Sequence, residues 1–171
     1  MELLKGLEVG EYEFSKYIPE YLGEFALWLP PEQLDDIIER LHILLANGNE
    51  RIVSVALDTL GVLLECYSRY TVRFHESEEV SEERRMKLLG LILSCLANYR
   101  EQVRQEALLV IGQHIFGSQI LAERDKSRMF SICAKKLLFL LNENKGGELS
   151  LYYRAATLSH IDRFIAHYQL F

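Results

Sequence analysis

A stretch of seventeen residues is written twice in this chain, and that repetition constrains the fold more than any other feature. Residues 45–61 read LANGNERIVSVALDTLG and residues 96–112 read LANYREQVRQEALLVIG, without a gap between the registers. Leu45/Leu96, Ala46/Ala97, Asn47/Asn98, Glu50/Glu101, Ala56/Ala107, Leu57/Leu108 and Gly61/Gly112 are identical pairs, while Ile52 and Leu60 are answered by Val103 and Ile111. Each copy reads as the end of an apolar helix, a short polar turn and a second amphipathic helix. Self-similarity at a fixed period marks a stacked repeat, in which each unit buries an apolar face that it could not bury alone.

The remainder of the chain supports an all-α reading. Apolar residues recur at helical spacing and strand signals are scarce. A first helix is expected over about 14–28, with Ile18, Leu22, Phe25 and Leu29 on its inward stripe and Pro30–Pro31 ending it. The second opens at Pro31 and stops at Asn47–Gly48–Asn49, burying Ile37, Ile38, Leu41, Leu44 and Leu45. The third follows at once, with Ile52, Val55, Ala56, Leu60, Leu63 and Leu64 inward. So short a turn between them favours antiparallel neighbours.

A polar and acidic connection is expected from about residue 70 to 83, with Ser81 as a helix start. A fourth helix (about 81–97) and a fifth (about 101–116) repeat the earlier pair, and Gly117–Ser118 ends the fifth. A connection through Glu123–Arg124–Asp125–Lys126 leads to a sixth helix ending near Leu141, with Met129, Ile132, Cys133, Leu137 and Leu140 on its stripe. The NENKGG turn and a seventh helix over about 148–168 complete the set. The expected architecture is an α-α superhelix of about seven helices in one domain, residues 1–171. It comprises three stacked antiparallel hairpins, about 31–69, 81–117 and 125–169, preceded by a single N-terminal helix. Ala56 and Ala107, with Gly61 and Gly112, are expected to allow close approach of helix axes.

These residues resemble a known family. Val103–Arg104–Gln105–Glu106–Ala107, continued by Ile111–Gly112, is similar to the second helix of a HEAT repeat, and Ile52, Ala56, Leu60 and Gly61 carry the same frame in the earlier copy. The resemblance covers about residues 32–116 and extends weakly to Arg154–Ala155–Ala156. Val53 stands where the family pattern favours Arg. The copies lie 51 residues apart, longer than the roughly 40–47 of such units, and the excess is assigned to the acidic connection. The resemblance implies a superhelical fold whose second helices offer a curved surface to a partner protein.

Composition narrows the functional classes. Lys and Arg total 19 against 25 Asp and Glu, a formal charge of −6, which disfavours phosphate-backbone binding as the main task. A basic partner protein suits this balance. Cys66, Cys95 and Cys133 form no CxxC pair and sit in apolar helical patterns, so they read as reduced core thiols of a cytoplasmic protein. The N-terminal MELLKGLEVGEYEF is not a secretory signal, and no apolar run approaches membrane-spanning length. His42, His75, His114, His160 and His167 lack the Cys, Asp or Glu companions of a zinc site. No phosphate loop, HExxH or nucleophile elbow is present, so neither a cofactor, a metal nor catalysis is expected.

A non-catalytic protein-binding module is therefore the expected function. Its candidate contact residues on the second helices are Arg51, Asp58, Arg100, Arg104 and Gln105. That face is mixed in charge, which argues against a DNA-glycosylase type of HEAT-like protein. The acidic run Glu76, Glu78, Glu79, Glu82 and Glu83 reads either as a solvated helix start or as an electrostatic docking site. Two alternatives stand beside this reading: a bacterial immunity or antitoxin-type protein that neutralises a basic toxin, and a structural homo-oligomer built through the aromatic C-terminal helix (Tyr152, Tyr153, Phe164, Tyr168, Phe171).

Overall fold

The computed structural model describes residues 18–142 and residue 166. Among them every regular element is helical: α1 (Ile18–Ala26), α2 (Pro31–Asn47), α3 (Glu50–Arg73), α4 (Glu78–Ser94), α5 (Glu101–Ile111) and α6 (Glu123–Asn142). A 3₁₀ turn at Cys95–Ala97 follows α4, and a π-helical turn at Gly112–Phe116 follows α5. The NENKGG turn, the expected seventh helix and residues 14–17 of the expected first helix lie outside the described residues. The chain divides into two compact units, Met1–Ile92 and Leu93–Phe171, so the boundary falls in the last turn of α4, inside the expected second hairpin.

In the first unit α3 is the central helix, packed by both α1 and α2. Pro31 occupies the first turn of α2, where its missing N–H is harmless, and Glu32 sits at the positive end of the helix dipole. Leu34, Ile37, Ile38, Leu41 and Leu45 form its buried stripe, with Leu44 half-buried. Gly48 ends α2 in an extended conformation, φ −77° and ψ 155°. It is required for space rather than for backbone freedom. A Cβ there would lie 2.6 Å from the Leu44 carbonyl oxygen and 2.7 Å from Ile52 Cγ2. Asn49 then caps α3, its Oδ1 accepting from the Ile52 N–H at 3.0 Å.

Helix α1 keeps Ile18 and Leu22 of its expected inward stripe but not the rest. Ile18, Leu22, Gly23 and Ala26 are buried, but Phe25 points to solvent and Leu29 is only half-buried. The reason is a close helix crossing: a Cβ on Gly23 would come within 2.4 Å of Val62 Cγ1. The small residues of α1 therefore face α3, and the aromatics are turned outward. Glu24 pairs with Arg69 at 3.4 Å, and Arg73 donates to the Leu27 carbonyl. Contacts at 23/62, 24/69 and 27/73 advance together along the two helices, so α1 and α3 are parallel.

The expected 70–83 connection is mostly helix. Here α3 continues to Arg73 and α4 begins at Glu78, so the break is confined to residues 74–77. His75 reverses the chain with φ 49°, the left-handed position that glycine usually takes after a helix end. Ser77, not Ser81, supplies the helix start, its Oγ accepting from the Val80 N–H at 3.2 Å. Ser81 is buried, its Oγ 2.8 Å from Thr71 Oγ1. Thr71 with Ser81 and Tyr67 with Arg84 run in opposite order, so α4 returns antiparallel to α3. The excess length of the repeat thus extends helices rather than a loop.

In the second unit the helix after the turn is not continuous. Gly112 opens a wide turn in which the Gly117 N–H bonds the Gly112 carbonyl at 2.6 Å, five residues back. Ser118 then accepts from the N–H groups of Ile120 and Leu121, both at 3.1 Å. Glu123–Lys126, expected as a connection, is instead the first turn of α6, with Glu123 and Asp125 at its positive end. Met129, Cys133 and Leu137 are its buried residues, and Phe116 meets Phe130 edge-on at 5.4 Å.

Candidate interaction surfaces

The most heavily bonded polar cluster of the first unit forms around Arg84 of α4. Its guanidinium grips Asp35 of α2 in a two-pronged contact, Nε–Oδ1 2.9 Å and Nη2–Oδ2 3.0 Å. Nη1 donates to the Tyr67 hydroxyl of α3 at 2.9 Å and to Glu76 Oε2. The Tyr67 hydroxyl in turn donates to Glu76 Oε1 at 2.6 Å. Burial alone would lower the Arg84 pKa, but the hydrogen bonds to Asp35 and Tyr67 outweigh it and hold the group charged. Burial pushes the Tyr67 phenol up, opposed by Arg84, so both groups keep the protonation that the network needs. The cluster joins three helices and one turn. Removing Arg84 would strand a carboxylate whose side chain is only 6% exposed, at a cost of about 3–5 kcal/mol.

This cluster divides the acidic run. Glu76 is inside the protein and serves α4. Glu82 is half-buried and pairs with Arg85 at 3.8 Å. Glu78, Glu79 and Glu83 are exposed, and the first two sit in the opening turn of α4, where the dipole favours them. The five glutamates therefore do not form one acidic surface.

The second-helix candidates also separate. On α3, Arg51 is exposed and Asp58 half-buried, and α1 lies along the C-terminal part of the same stripe at Val62 and Arg69. Of the candidates at α5 and its N-cap, Gln105 alone is exposed. Arg104 is 4% exposed and donates to the carbonyls of Asn98 at 2.7 Å and Tyr99 at 3.2 Å. Arg100 is half-buried, its N–H and Nε both bonded to Asn98 Oδ1 at 2.9 and 3.3 Å. Two of the three α5 candidates are thus occupied in shaping their own turn.

The surface that sequence reasoning passed over is on α1. Tyr21 is 61% exposed, Phe25 47% and Trp28 65%. Tyr21 and Phe25 stand at i and i+4 on the outer side of α1, and Trp28 follows in the turn that ends the helix. Arg73 lies over the Trp28 ring, 3.4 Å from its centroid, and fixes its orientation. The signal was legible as a second apolar stripe on the same helix. The expected inward stripe grouped Phe25 with Ile18 and Leu22 and left Tyr21 and Trp28 unassigned.

Nothing among the described residues gathers into a metal site, and no described helix is long and apolar enough to cross a membrane. The three cysteines are buried and unpaired, and burial pushes the Cys133 thiol up to about 12, which leaves it a poor nucleophile. Neither a family model nor a curated protein matches the chain.

Proposed function

We propose that this chain is a HEAT-like helical-repeat module of the cytoplasm, without catalytic activity, that works by binding another protein. The observation that carries the binding part is the outward stripe of Tyr21, Phe25 and Trp28. Tyr21 and Trp28, both more than half exposed, and Phe25, nearly so, amount to roughly 300–400 Å² of apolar surface, the size of patch that usually serves an interaction. The solenoid part rests on the doubled sequence frame and on helix direction. Helix α1 runs parallel to α3, and α2 and α4 both run antiparallel to α3, as stacked hairpins require.

The test compares wild type with a Tyr21→Ser, Phe25→Ser double variant as baits in native lysate, both checked for helical content by circular dichroism. A stoichiometric protein retained by wild type and lost from the folded variant is the expected result. Equal recovery by both baits would move the site away from α1. Recovery of nothing by either would sink the binding reading.

A further inference from the structure

We infer that the α1 stripe takes a basic amphipathic helix, one whose apolar side covers Tyr21, Phe25 and Trp28 and whose edges carry Lys or Arg. The inference rests on the protein-binding reading above and names the partner's chemistry. Charge carries the argument. Helices α1 and α2 hold the exposed carboxylates Glu20, Glu24, Glu32, Asp35, Asp36 and Glu39, against Arg40 as their single Lys or Arg. Arg69 pairs with Glu24 and Arg84 with Asp35, which still leaves four carboxylates against Arg40 and the Arg73 that stacks on Trp28. Glu20 adjoins Tyr21 at one end of the stripe, and Glu32 follows Trp28 across the two prolines at the other. An apolar stripe with acids at both ends is complementary to a helix with cations along its edges.

The same charges disfavour two other occupants. A second copy of this face would set Glu20 and Glu24 against their own kind, and an anionic membrane surface would repel them. Preorganisation favours a specific partner. Arg73 stacks on one face of the indole and also donates to the Leu27 carbonyl, so part of the ordering of Trp28 is complete before anything binds.

Trp28 is the only tryptophan of the chain, so its fluorescence reads this site directly. The full chain is titrated with a helical peptide of leucine and lysine in amphipathic register, then with the same peptide carrying glutamate for lysine. Neutral phosphatidylcholine vesicles form a third arm, and a dilution series of the protein alone a fourth. The expected result is a saturable blue shift with the lysine peptide only, weakened at least about ten-fold by Tyr21→Ser with Phe25→Ser and weakened by added salt. Equal response to the glutamate peptide, equal binding by the folded double variant, no response to either peptide, or a shift with vesicles or with protein concentration alone would each overturn the inference. A lysate partner that needs the stripe, together with silent peptides, would leave the binding reading standing and remove only the basic helix.

Discussion

The two copies of the repeat share seven identical residues and build different turns. In the first, α2 runs through Asn47, two residues reverse the chain, and Asn49 caps α3 with its side chain. In the second, α4 tightens into a 3₁₀ turn, and Asn98, Tyr99 and Arg100 intervene before α5, whose N-cap position, Arg100, offers no side-chain cap. The matched residues Val53 and Arg104 explain much of the contrast. Val53 is an ordinary core residue, fully buried. Arg104 is equally inside, but its guanidinium reaches back to the Asn98 and Tyr99 carbonyls and satisfies oxygen atoms of the turn itself. The difference teaches that one repeat frame tolerates two ways of closing its turn: a side-chain cap on the N–H groups ahead, or an arginine on the carbonyls behind.

Five substitutions would break or sharpen this contrast. The largest effect is expected from Val53→Arg, which buries a guanidinium in a turn not shaped for it and should cost about 3–5 kcal/mol in urea unfolding. Unchanged stability would show that the first turn can offer the same carbonyls. The reverse change, Arg104→Val, removes charged hydrogen bonds and should cost about 1.5–3 kcal/mol by the same assay. Gly48→Ala should cost about 1–3 kcal/mol because the new methyl group meets Leu44 and Ile52. At the matched, exposed position, Tyr99→Ala should stay within about 0.5 kcal/mol, so the pair measures how differently the two turns are packed. Asn49→Ala should cost about 1 kcal/mol from loss of the cap, read as a lowered thermal midpoint. A midpoint that does not move would mean the cap is redundant with the packing of Ile52.

Much of the fold was legible. Pro31 as the start of α2, Gly48 at its end and the buried stripes of α2 and α3 all follow from local chemistry, whereas α5 stops at Ile111 and a π-helical turn covers the rest of its expected length. Two boundaries were misread for one reason: the charged runs at 78–83 and 123–126 look like loops, yet carboxylates in the first turn of a helix are stabilised there. The candidate site was less legible. Of the ten residues singled out, Glu76 and Arg104 are inside the protein, and a charged residue read from sequence does not disclose a buried partner. Glu76 meets Arg84 and Tyr67 only because α4 folds back along α3.

What the sequence by itself determined was helical content, the limits of α2, and which residues share a stripe, since each is set by interactions within a few residues. What only the tertiary structure decided was which stripe becomes core. Helix α1 has two apolar faces, and its periodicity ranks neither. The choice was made by Gly23, whose missing side chain lets α1 approach Val62 more closely than any larger residue could. That contact is non-local, so it turned Phe25 and its aromatic neighbours toward solvent without leaving a trace in the helical pattern.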